Sequence, residues 1–144
     1  MIYVGIDPGV TGGLAWVDSG GGEMEASALP KTETDIWWLF HALPTAPQRY
    51  CLIEKVHSMP AQGVASSFKF GRNYGFLRGL LVALKIPFDE VIPQRWQKAM
   101  GCLSGGDKNV TKQKAQQLFP GIKVTHATAD ALLIAEYCRR THGK

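Results

Sequence analysis

An aspartate closes the first apolar run of this chain, and that placement limits the folds open to it. Residues 2–7 read Ile-Tyr-Val-Gly-Ile-Asp and are followed at once by Pro8-Gly9. A short apolar run without alternation, bounded by a turn signal, is the pattern of a strand buried on both faces. Asp7 therefore emerges at the edge of a sheet from desolvated surroundings. A carboxylate there costs free energy unless a cation offsets it, and a divalent metal is the strongest such partner. An ordinary turn aspartate ahead of Pro-Gly carries the same signature, so Asp7 alone decides nothing.

The rest of the chain reads as one mixed α/β domain spanning residues 1–144. Residues 12–18 form a second strand, and Gly20-Gly21-Gly22 turns into a third near 23–28; such close spacing predicts an antiparallel meander. Thr32-Glu33-Thr34-Asp35 supplies capping chemistry for a helix over 36–43, which Pro44 and Pro47 stop. A fourth strand covers 50–56 and a long helix 62–84, although Gly71, Gly75 and Gly79 weaken its continuity. A fifth strand spans 86–92, and Pro93 opens a short helix through residue 100. A glycine-rich polar loop follows over 101–109, then helices over 110–119 and about 127–140. No repeat, linker or low-complexity tract interrupts the order.

Two further acids stand out against their surroundings. Glu54 lies in Cys51-Leu52-Ile53-Glu54-Lys55-Val56, and glutamate is depleted in strands and rarely buried without a partner. An ion pair with a nearby lysine would also satisfy it. Asp130 sits among small residues in Ala127-Thr128-Ala129-Asp130-Ala131, ahead of the apolar stripe of the last helix. Acids are favoured at a helix start by the macrodipole alone. Taken together, two strand acids and one helix acid make an oxygen-rich set suited to Mg²⁺ or Mn²⁺. Two such ions about 3.5–4 Å apart can activate a water nucleophile and stabilise the leaving oxygen of a phosphodiester.

Bulk properties narrow the classes without choosing one. Sixteen Lys and Arg against twelve Asp and Glu leave a net charge of +4, a mild excess that suits a polyanionic partner. The scattered Cys51, Cys102 and Cys138 form no Cys-x-x-Cys pair, so neither a disulfide framework nor a zinc site is expected and reduced thiols in a cytoplasmic protein are. No apolar run nears the ~18 residues of a membrane span, and the opening residues lack a signal-peptide pattern.

Three segments carry a family resemblance. Ile6-Asp7-Pro8-Gly9-Val10-Thr11-Gly12-Gly13 resembles the opening of RuvC-type Holliday junction resolvases, Ile53-Glu54-Lys55-Val56 their second acid strand, and Ala129-Asp130-Ala131-Leu132 the start of their last helix. The segments come in the family's order and near its spacing, while the stretches between them match loosely. The resemblance implies an RNase H-like fold, a five-stranded mixed sheet with its first three strands antiparallel and helices around it. It further implies a homodimer that nicks four-way junctions with two Mg²⁺ ions, held by Asp7, Glu54 and Asp130, with Mn²⁺ able to substitute. The family commonly places a second acid or a histidine shortly before the last aspartate. Here Ala127 stands three residues before it, and His126, four before, is the available substitute. Shortness and this variation resemble the phage or prophage branch.

Other residues are candidates for holding DNA. Within 62–84, aromatics mix with cations, and at helical spacing Phe68, Arg72 and Phe76 share a face beside Lys69 and Asn73. Aromatics can stack on bases opened at a junction while Lys and Arg neutralise phosphates. Phe68, Lys69 and Arg72 fit that role; Tyr74 and Phe76 fit the core or a dimer surface, which the glycines would also serve. Lys108 resembles a lysine that the family sets near the scissile phosphate, and Lys98, Lys112 and Lys114 add a basic cluster that a solvated helix face explains as well. Trp96 reads as core packing.

Three alternatives are consistent with parts of this pattern. Actin-like ATPases and sugar kinases also open on a strand, an acid and a Gly-Thr-Gly turn, but need two related domains where this chain supplies one. A non-catalytic DNA-binding member of the same fold would keep the acids only as core polar groups. Within the nuclease reading, an enzyme acting broadly on forks and flaps competes with a strict four-way-junction resolvase.

Overall fold

The computed structural model describes residues 1–56 and 61–143. Strands β1 (Ile2–Asp7), β2 (Gly13–Asp18), β3 (Met24–Ala28), β4 (Arg49–Glu54) and β5 (Phe88–Val91) form one sheet in the spatial order β3-β2-β1-β4-β5. The first three are the antiparallel meander expected from their spacing, and β4 and β5 extend the sheet in parallel from β1. Helix α1 (Glu33–His41) leads into β4 and helix α2 (Val64–Ala83) into β5; α3 (Pro93–Ala99), α4 (Lys108–Leu118) and α5 (His126–His142) complete the chain.

Strand periodicity divides the core in two. On β1, Ile2, Val4 and Ile6 join Cys51 and Ile53 of β4 in a cluster with Ile36 and Phe40 of α1 and Leu77, Leu80 and Leu81 of α2. The alternate positions, Tyr3 on β1 and Leu52 on β4, face a second cluster built on α5 with Trp96, Ala115 and Phe119. Helix α5 therefore lies across the face that α1 and α2 leave free. It can do so closely because small residues meet there. A Cβ added at Gly5 would sit 2.3 Å from the Ala131 carbonyl oxygen and the Ala135 nitrogen, and one at Gly13 would sit 2.4 Å from the Ala127 oxygen.

The elements depart from the sequence expectation at several points, four of them for an identifiable local reason. Helix α1 begins three residues early because the Thr32 hydroxyl accepts from the Asp35 N–H and so caps it. Helix α2 runs unbroken through Gly71, Gly75 and Gly79, anchored by Leu77, Leu80 and Leu81 on its buried side. Strand β5 starts at Phe88 and not at Ile86, since Lys85 takes a left-handed φ of 54° and the Ile86 N–H closes onto the Leu81 carbonyl. Helix α4 begins at Lys108, inside the expected loop, because the Asp107 carboxylate accepts from the Asn109 N–H.

Candidate active site

The same alternation that sorts the core brings the acids together. Asp7 and Glu54 each follow residues paired across β1 and β4, Ile6 with Ile53, so they are adjacent in register at the ends of neighbouring parallel strands. Both occupy the phase of Tyr3 and Leu52, the phase that faces α5. Helix α5 opens at the Thr125 capping box, and its fifth residue is Asp130, one turn inside the helix and only 8% exposed. The close crossing at Gly5 and Gly13 brings that turn down onto the end of β1. Asp130 is thus buried against the sheet, where the dipole of a helix start does not account for it.

Asp7 is 5% exposed and is held by the turn it introduces: the Gly9 N–H donates to its Oδ1 at 3.1 Å. The turn closes with Gly12 N–H to the Gly9 carbonyl, and a Cβ at Gly12 would lie 2.1 Å from the Asp7 carbonyl oxygen. Glycine is required there. Lys108, the first residue of α4, reaches over both aspartates, its Nζ 3.8 Å from Asp7 Oδ2 and 3.7 Å from Asp130 Oδ2. Glu54 Oε2 accepts from Trp96 Nε1 at 2.7 Å, and Trp96 itself is fully buried.

The electrostatics of this cluster are unfavourable as it stands. Burial pushes the Glu54 carboxyl up to about 7, and the negative charges of Asp7 and Asp130 add to the effect while the Trp96 hydrogen bond and Lys108 oppose it. Burial likewise raises Asp7, against the pull of the Gly9 N–H and Lys108. Asp130 Oδ1 is buried with no hydrogen-bond partner among the described residues. An unpaired buried carboxylate oxygen costs on the order of 1–3 kcal/mol or more. Three desolvated acids against one lysine leave two uncompensated negative charges when all are ionised, the charge of one divalent cation.

An all-oxygen donor set of that charge fits Mg²⁺ or Mn²⁺. Among the described residues no group of three His, Cys, Asp or Glu is drawn together tightly enough to enclose an ion; the Lys108 ammonium bridges two of the acids instead. The residues fit a hard cation by their chemistry and by the orphaned Asp130 oxygen.

The other candidates distribute as follows. His126 is the exposed first residue of α5, one turn before Asp130, and no hydrogen bond or ion pair ties it to the acids. Phe68 is 70% exposed, and Lys69 and Arg72 are exposed beside it in the first half of α2. That half is docked to the active-site turn, since Asn73 Nδ2 donates to the Pro8 carbonyl at 3.0 Å. Tyr74 and Phe76 pack against the core under α2. Lys98 lies exposed on α3, and Lys112 is half-buried on α4. Trp96 was legible as core but not as a partner of Glu54. A buried tryptophan needs an acceptor for its N–H, and that requirement was the available signal. Asn73 offered none.

No protein-family model matches the chain, and no curated protein matches it in sequence. Solved structures do match. RuvC of T. thermophilus in complex with Holliday junction substrate aligns with a TM-score of 0.66 at 18% identity, over 99% of this chain and 97% of that one. A second structure, Thermus thermophilus RuvC, aligns at 0.62 and 19% identity over 95% and 92%. The chain therefore has the RNase H-like fold of RuvC, a mixed five-stranded sheet with its first three strands antiparallel, over almost its whole length.

Proposed function

We propose that this chain is a Mg²⁺-dependent, structure-selective endonuclease that cleaves phosphodiester bonds in four-way junctions and other branched DNA. One observation carries the reading: Asp7, Glu54 and Asp130, distant in sequence, are desolvated together at one end of a RuvC-like sheet with a single lysine among them. Such an acid cluster serves no structural purpose that an apolar cluster would not serve better. The fold likeness supports branched DNA as the substrate, because the similar T. thermophilus protein is seen with a Holliday junction.

Asp7, Glu54 and Asp130 would hold the ions. Bound divalent ions, two in this reading, supply an activated water and stabilise the departing oxygen of the phosphodiester. The chain's own groups do the rest. Trp96 fixes the Glu54 carboxylate by its N–H. Lys108, on the rim of the acids, places a positive charge where a scissile phosphate enters and leaves its contacts with Asp7 and Asp130 to do so. Phe68, Lys69 and Arg72 on α2, together with Lys98 and Lys112, meet the flanking DNA. His126 is available as a further ligand one turn before Asp130. Symmetric nicking requires two copies, and the exposed Val64 and Val82 with the open glycine face of α2 supply a surface for the second.

Incubation of labelled four-way junction, flap and linear duplex with Mg²⁺ or with EDTA tests this. Incision of branched substrates only, dependent on Mg²⁺ and lost in Asp7→Asn, is the expected result. Failure to cut any branched substrate refutes it, and binding without cutting favours a DNA-binding protein of the same fold. Equal cutting of flap and junction assigns a broad branched-DNA nuclease and not a strict resolvase.

A further inference from the structure

A cavity of about 420 Å³ is bordered on one side by Gly9, Val10 and Thr11 of the turn that follows Asp7. Its inner wall is apolar: Leu29 is 9% and Ile36 3% exposed, and Pro30 continues that wall. Its mouth is cationic, formed by the exposed Lys31 from the β3–α1 connection and Lys69 and Arg72 from α2. Glu33 is the one carboxylate in the lining, so three cations against it leave a local charge of +2. Among the described residues, no acid stands within ion-pair distance of Lys31, Lys69 or Arg72. The volume falls in the range of small-ligand sites, about 300–1,000 Å³.

We propose that this cavity takes one unstacked nucleotide of the DNA strand that enters the active site, its base against Leu29, Pro30 and Ile36 and its phosphate on Lys31, Lys69 and Arg72. The inference rests on the nuclease reading above and adds a subsite to it. Two features favour this occupant. An apolar pocket with a net positive mouth matches the two halves of a nucleotide, a flat base and an anionic phosphate. Gly9, Val10 and Thr11 form one side of the cavity, and Gly9 donates to Asp7 at 3.1 Å, so cavity and acid share one turn. Asn73, also in the lining, binds that turn through the Pro8 carbonyl and holds α2 against it. The mouth is thus built on the same turn that carries Asp7, which puts it within reach of a strand engaged at the acids. Unstacking is least costly at a branch point, where pairing is already broken. The pocket thus rewards branched over continuous duplex DNA.

Four-way junctions carrying 2-aminopurine at successive positions around the cut test the proposal. The wild-type chain binds them with Ca²⁺ in place of Mg²⁺, and fluorescence is read at each position. One position brightening severalfold on binding is expected. Val10→Trp, which fills the mouth from a side chain 67% exposed and so spares the core, abolishes that rise. Lys31→Glu weakens junction binding severalfold, whereas Lys85→Glu, an exposed cation away from the cavity, leaves it unchanged. Circular dichroism of both mouth variants confirms folding. If the wild type cuts junctions in Mg²⁺ but no position brightens, the subsite is wrong and the nuclease stands. If a position brightens but nothing is ever cut, the nuclease reading fails and the subsite stands. No junction binding at all overturns both. A change of oligomeric state in Val10→Trp with the fluorescence signal intact assigns the cavity to a second copy of the chain and overturns the nucleotide.

Discussion

Glu54→Gln should stabilise the metal-free protein at neutral pH, although it removes a group assigned to the active site. The Glu54 carboxyl titrates near 7 in the folded chain, against 4.5 for an unperturbed glutamate. Its folded state therefore holds a proton that the unfolded state gives up between those values. Stability from this group is full below about pH 4.5 and is lost as pH rises through about 7. Ionising Glu54 at pH 8 costs about 3 kcal/mol at 1.36 kcal/mol for each tenfold step. Glutamine keeps an oxygen for the Trp96 N–H and cannot ionise. Thermal unfolding in EDTA at pH 8 should show the variant melting on the order of 10 °C higher, given about 4 °C per kcal/mol for a domain of this size. The gap should close toward pH 4.5. Mg²⁺ should then raise the wild-type midpoint and leave the variant nearly unmoved, since the wild-type penalty is one a divalent ion relieves. Equal midpoints in EDTA at pH 8 would refute the reasoning, because the acids would then not be desolvated together.

Three further substitutions probe the supports of the site. Gly5→Ala drives a methyl into the Ala131 oxygen and the Ala135 nitrogen at 2.3 Å and should cost roughly 1–3 kcal/mol in denaturant unfolding while also lowering incision, as α5 and Asp130 are displaced together. A variant destabilised by that amount yet fully active would show that the crossing does not place Asp130. Trp96→Phe leaves Glu54 without its donor and a small void beside it; a loss of about 2 kcal/mol, with weaker Mg²⁺ stabilisation in thermal melts, is expected. Lys108→Ala should change stability by less than about 1 kcal/mol, since the lysine side chain is half-exposed, but lower single-turnover incision about 10²-fold. A large stability loss with unchanged cutting would reassign Lys108 to structure.

Local physics made the elements and the identity of the three acids readable from the chain. An apolar run ending in Asp7, a strand carrying Glu54 and a small-residue segment around Asp130 break burial and propensity rules in ways that survive without coordinates. Strand spacing likewise determined the meander. The family resemblance gave those breaches an order, and the fold agrees with it. Contacts formed by residues far apart in sequence were decided only in three dimensions. The phase of β1 and β4 turns Asp7 and Glu54 to the α5 face, but only the register of Ile6 with Ile53 makes them neighbours. Glycine at 5 and 13 is unremarkable in a strand until α5 lies within 2.4 Å of an added Cβ. Trp96 reads as packing because its N–H points to an acid forty-two residues earlier. Lys108 reads as loop because its helix depends on a cap at Asp107. Asp7 is thus a feature of the sequence, while its desolvated company of Glu54, Asp130 and Lys108 belongs to tertiary structure: burial and charge act through space, and the sequence records only neighbours along the chain.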